Sequence, residues 1–180
     1  MLQITIPAQE LWDSDKQEFI YTKRQVLQLE HSLVSVSKWE SKWRKTFLSK
    51  KEKTREENID YIKCMTITQN VNPDVYEYLT EENIKEINDY ISAPMTATWF
   101  SDDKTSSANN EQVTSELIYY WMIALNIPFE CQKWHLNRLL TLVRVCNIKN
   151  KPPKKMNRNE LLSRNASLNA ARRKQLNSKG

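Results

Sequence analysis

Cys131, His135 and Cys146 are the residues whose types and spacing come nearest to chemistry in this chain. Together they invite a metal site or a thiol nucleophile served by a histidine. Structural zinc sites use closely spaced ligand pairs at both ends, such as two residues between cysteines. Here a Cys-x3-His pair faces one distant cysteine, with only His31 and Cys64 left to complete a set. The pattern favours buried thiols and a hydrogen-bonded histidine on a helix, with no metal and no cofactor.

Paired carboxylates at Glu56-Glu57, Glu81-Glu82 and Asp102-Asp103 are the other candidates for acid–base work. The first two fall at expected helix starts, where negative charge complements the dipole, and the third falls in a polar stretch. General acid–base catalysis needs a carboxylate held in a pocket with a shifted pKa, and nothing in these surroundings suggests one. The single glycine, Gly180, is the last residue. Phosphate-cradling loops, dinucleotide turns and nucleophile elbows all need glycine at fixed spacings, so none of these devices is available. The chain reads as a non-enzymatic interaction protein.

Charge divides the chain unevenly. The formal net charge is +5 over 180 residues. From Lys149 to Gly180 ten residues are Lys or Arg against one acid, Glu160, a local +9 that leaves the first 148 residues at −4. A mildly acidic body with a strongly basic tail implies a separate role for the tail. Met1 to Pro7 alternates rather than running apolar, and Leu117–Leu125 is far shorter than the ~20 residues a bilayer span needs. The expected setting is the cytosol, away from membranes. An odd number of cysteines, Cys64, Cys131 and Cys146, suits reduced core thiols there.

The elements that would position these residues follow from periodicity. Leu2, Ile4 and Ile6 alternate with polar residues, as do Phe19 and Tyr21 within residues 17–23, predicting a β-hairpin turned at Asp13-Ser14-Asp15. Leu29, Leu33, Val36, Trp39, Trp43 and Phe47 then recur at steps of three or four and predict one helical face, with a strand over residues 34–37 as the competing reading. Thr54 with Glu57 has capping-box spacing, starting a helix through Ile59, Ile62 and Met65. Asn72-Pro73 and Thr80 start two more, the second with Ile84, Ile87 and Ile91 on its face and Pro94 at its end. Residues 101–111 read as a polar loop.

Leu117–Leu125 reads as a helix buried on all sides. A second helix, about Trp134 to Ile148, carries a stripe of Leu136, Leu139, Leu140 and Val143. The proline elbow at Pro128 predicts that the two form an antiparallel pair at the centre of the core. Trp99, Trp121 and Trp134 are expected in the core and Trp12 partly exposed. Trp39 and Trp43 lie in a basic stretch resembling a stacking platform for nucleic acid, but fit the core stripe better. Lys151-Pro152-Pro153-Lys154 is a stiff linker. Beyond it Leu161–Leu176 predicts a thinly amphipathic helix that orders on a partner.

The reading is therefore mainly α: a compact helical domain (residues 25–150), a small N-terminal β-hairpin (1–24) and a basic C-terminal helical arm (151–180). Candidate partner-binding residues are Arg158, Leu161, Arg164, Leu168, Arg172, Arg173 and Lys174, able to contact phosphates or to dress a docking helix.

Several stretches resemble the tail assembly chaperones of long-tailed bacteriophages of Gram-positive hosts. They are residues 29–43, Ala93-Pro94-Met95-Thr96-Ala97-Thr98-Trp99-Phe100, residues 117–145 with Tyr120-Trp121-Met122-Ile123-Ala124-Leu125, and Asn169-Ala170-Ala171-Arg172-Arg173-Lys174. The likeness spans most of residues 29–180 and lies in overall texture, with no catalytic signature. It implies a small chaperone that binds the tape measure protein in the host cytoplasm and is absent from the finished virion. Contact with the tail tube protein and self-association stay open beside it. A phage nucleic-acid-binding protein acting through the arm, or a structural tail component, are the alternatives.

Overall fold

The computed structural model describes residues 1–13, 17–21, 23–100, 112–151 and 157–177. It is mainly helical, with an antiparallel β element at the N-terminus and a helix at the C-terminal end. The chain divides into two compact units, Met1–Asn147 and Ile148–Gly180.

The β element differs from the expected hairpin in its pairing. Strand β1 (Leu2–Ile6) pairs with β4 (Gln25–Leu29), while β2 (Glu10–Asp13) pairs with β3 (Glu18–Tyr21). The ladder breaks after Ile6, where Pro7 has no N–H to contribute. Alternation then sorts the inner pair: Ile4, Ile6, Leu27 and Leu29 are buried, while Gln3, Val26 and Gln28 face out. Leu29 is thus the last residue of a strand rather than the first of a helix. Residues 14 and 15 of the expected turn, the side chain of Trp12 and the expected loop 101–111 lie outside the described residues.

Helix α1 (Leu33–Trp43) begins at Ser32, whose hydroxyl accepts from the Ser35 N–H. It ends at Arg44 in the left-handed region (φ 52°), so Phe47 reaches the core from the following loop and not from the helix. Residues 34–37 are helical. Helix α2 (Arg55–Met65) has the expected capping box: Glu57 N–H donates to Thr54 Oγ1 (3.2 Å) and Thr54 N–H to Glu57 Oε2 (2.9 Å). Such a cap contributes about 1 kcal/mol. Asn72 caps a 3₁₀ turn, Pro73–Tyr78, and Thr80 caps α3 (Glu81–Ser92). On α3 the buried residues are Asn83 and Ile87, while Ile84 is exposed. Asn83 Nδ2 donates to the Thr5 carbonyl (3.3 Å), so a polar residue takes the place expected of an isoleucine.

Two expectations for the apolar third are corrected. Helix α4 (Ser115–Ala124) buries Ser115, Ile118 and Met122, but Tyr120 and Ile123 are exposed. It packs on α1 rather than lying along α5 (Leu136–Asn150) as an antiparallel partner. Between them a 3₁₀ turn, Phe129–Lys133, also rests on α1. Helix α1 is therefore the centre of the core. Trp39 anchors it: the indole N–H donates to the Glu57 carbonyl (2.8 Å) and the ring meets Phe47 edge-on at 5.3 Å.

One carboxylate joins three of these pieces. Glu40 on α1 is buried, and its Oε1 accepts from Phe47 N–H (2.8 Å) while Oε2 accepts from Ser115 N–H (2.7 Å). The first bond holds the loop after α1 and the second satisfies an otherwise unpaired donor at the start of α4.

Candidate functional site

All seven residues expected to bind a partner lie on α6 (Arg158–Leu176), in the second unit. Glu160 Oε2 accepts from Asn157 N–H (3.2 Å) at its start, and Asn177 closes it in the left-handed region (φ 49°). No residue of this helix is buried. At 3.6 residues per turn, Leu161, Leu168 and Leu176 fall on one side, with Arg158 and Arg172 among them. Arg164 and Arg173 flank that side. Lys174 faces the opposite way and does not join it. The arrangement is a narrow leucine strip interrupted by guanidinium groups.

The first unit carries an apolar ledge that sequence reasoning missed. Tyr120 and Ile123 on α4 are 63% and 61% exposed, and Phe129 on the following turn is 53% exposed. The ring of Phe129 lies 6.5 Å from Tyr119. A uniformly apolar run signals burial or a contact face equally well, so the run itself did not separate the two. Trp99, expected in the core, is 93% exposed. It belongs to an irregular stretch after α3, whose start is pinned by Asn137 Nδ2 to the carbonyls of Ile91 (3.0 Å) and Ala93 (2.8 Å). Trp121 and Trp134 are half-buried, and Arg138 stacks over Trp134 at 4.2 Å.

The residues that first suggested chemistry are tied into the core. His135 does not face Cys131 as a ligand pair; its ring packs against His31 at 5.0 Å and Tyr90 at 4.9 Å. His135 Nε2 donates to the Tyr90 carbonyl (3.0 Å) and Nδ1 accepts from Asn137 N–H (3.3 Å), which fixes one neutral tautomer and occupies both nitrogens. His31 Nδ1 is hydrogen-bonded to the Tyr61 hydroxyl (2.5 Å). Burial, then the neighbouring His135, pushes the His31 pKa down to about 3. Burial also lowers His135, with the Tyr90 carbonyl acting against it. Burial raises the Tyr61 hydroxyl. The two imidazoles, both lowered by burial, pack against one another in the core.

The three cysteines are free thiols; Cys131 is buried, and burial pushes the Cys64 pKa up, which lowers its thiolate fraction. Among the described residues no group of three or more His, Cys, Asp or Glu side chains is placed to hold a metal ion. Nor is any helix among them long and apolar enough to cross a membrane. Comparison with protein-family models, with curated proteins and with solved structures finds no match for this chain.

Proposed function

We propose that this chain is a tail assembly chaperone of a long-tailed phage, which binds the apolar helices of a tape measure protein in the host cytoplasm and leaves before the virion is complete. The observation that carries this reading is α6: 19 residues of helix with Leu161, Leu162, Leu168 and Leu176 all exposed. A helix that buries none of its leucines has its apolar side free for another chain. The ledge of Tyr120, Ile123 and Phe129 offers a second surface of the same chemistry. The sequence likeness to such chaperones supports the same role, and a tape measure protein presents long helical faces that need covering.

Co-expression with the tape measure gene of the same phage tests it. Soluble client is expected to rise several-fold with the full chain and to fall back when Leu161 and Leu168 are both replaced by aspartate. Because neither leucine is buried, the double variant should unfold at the same urea concentration as the parent, within about 0.5 kcal/mol. Client that is no more soluble with this chain than without it sinks the reading.

The runner-up is nucleic-acid binding by the arm, favoured by the consecutive exposed cations Arg172, Arg173 and Lys174. It requires a salt-dependent gel shift that is lost when the chain ends at Lys149. A structural tail component would instead leave copies in purified particles, where mass spectrometry would find them.

A further inference from the structure

The −4 balance of residues 1–148 conceals a basic run: from Lys42 to Arg55 there are seven Lys or Arg and one acid, Glu52. The loop between α1 and α2 folds this run around a cavity of about 400 Å³. Arg44, Lys45, Lys51 and Lys53 line it together with the acid Glu52, Thr46 and Ser49, and Gln112 closes the side nearest α4. Thr46 Oγ1 donates to Gln112 Oε1 (3.1 Å), joining the two walls.

The charges here are incompletely matched. Glu57 is buried at the base, and both its oxygens are engaged, Oε1 by Lys45 and Oε2 by Thr54 N–H. Lys53 is half-buried, its ammonium 4.3 Å from the Phe47 ring centre and 5.9 Å from that of Trp39. Among the described residues, Arg44, Lys51 and Lys53 form no ion pair. A half-buried ammonium resting on aromatic rings with no carboxylate in direct contact is costly, and an anion in the cavity would offset that cost. Burial already pulls the Lys53 pKa down against the field of Glu57.

We propose that this cavity binds a phosphoryl group, with Arg44, Lys51 and Lys53 supplying the charge and Thr46 and Ser49 the hydroxyl donors. A phosphomonoester brings close to two negative charges and three acceptor oxygens, which three unpaired cations and two hydroxyls match better than a single carboxylate does. The cavity lies in the size range of small-ligand sites and takes more than the phosphoryl group alone. The same chemistry is presented by a free nucleotide and by the end of a nucleic-acid strand. None of the site's residues lies on α6.

Titration of the full chain at low salt, followed by amide NMR, separates the outcomes. The probes are sodium pyrophosphate, adenosine monophosphate and a 5′-phosphorylated oligothymidylate. Saturable shifts centred on residues 44–53 and Gln112 are expected. Lys53→Met keeps the aliphatic stem on Phe47 and is expected to weaken binding about tenfold. Arg172→Gln with Arg173→Gln should leave it unchanged. Equal affinity for the mononucleotide and the oligonucleotide identifies a free nucleotide as the ligand, and tighter oligonucleotide binding identifies a strand end; either supports the site. Shifts absent with all three probes, unaffected by Lys53→Met, or abolished by the α6 pair overturn it.

Discussion

Replacing Glu40 with alanine is expected to cost about 3–5 kcal/mol, a large share of the stability of a domain this size. The carboxylate is buried, and it is the acceptor for the Phe47 N–H and the Ser115 N–H. Removing it strands two backbone donors away from water, each at about 1–3 kcal/mol, and leaves a void beside α1. Glu40→Gln discriminates packing from hydrogen bonding. The amide fills the same volume, but its NH₂ must face one of the two N–H groups, so one bond becomes a donor–donor clash. We expect the glutamine variant to lose about 2 kcal/mol. Urea midpoints at constant m-value measure both. A loss below about 1 kcal/mol for alanine would mean that the start of α4 is held by its apolar contacts instead.

Acid should weaken the fold well before its carboxylates titrate. In the unfolded chain both histidines have a pKa near about 6.5, whereas in the fold His31 is held at about 3 and His135 is lowered too. Between those limits the unfolded chain binds protons that the folded chain refuses. Stability from this pair is therefore complete above about pH 6.5 and drains as the pH falls towards the folded value, by up to about 1.4 kcal/mol per pH unit for each histidine. Moving from pH 7 to pH 5 should remove about 2 kcal/mol through His31 alone, with His135 adding to it. Glu57 and Asp60 are held below the ordinary carboxylate range, Glu57 chiefly by Lys45 and Asp60 by Lys42 and Trp43 against the cost of burial. Their contribution is lost only at lower pH, so the slope between pH 5 and 6.5 belongs to the histidines. A stability profile flat across that window would show that the pair is open to water.

Local signals that act within one turn were legible in the sequence. Thr54 with Glu57, Asn72-Pro73 and Thr80 each start a helical element where their spacing placed it, because a cap is decided by residues three positions apart. The N-terminal strands were harder. Leu29 satisfies an alternating pattern with Leu27 and a helical pattern with Leu33 at once, and only its pairing with Leu2 decides between them. Composition also fails to say which apolar side chains are covered. Tyr120, Ile123 and Trp99 have the same neighbours in sequence as core residues do, yet they face solvent. The cavity lined by Lys53 was hidden for a different reason, since its cations were averaged against acids elsewhere in the body.

The residues from Gln28 to Ser32 are where distant parts of the chain meet. Ile67 N–H donates to the Gln28 carbonyl (2.8 Å), Glu30 N–H to the Met65 carbonyl (2.9 Å), and Leu136 N–H to the His31 carbonyl (2.7 Å). Ser32 and His135 complete the junction as an isolated bridge. A seam that needs residue 136 cannot close until that residue has been made. The early segments must wait without their last neighbour, and the final closure is a slow, late event governed by long loops. Until then the residues from Gln28 to Ser32 keep part of their backbone unpaired.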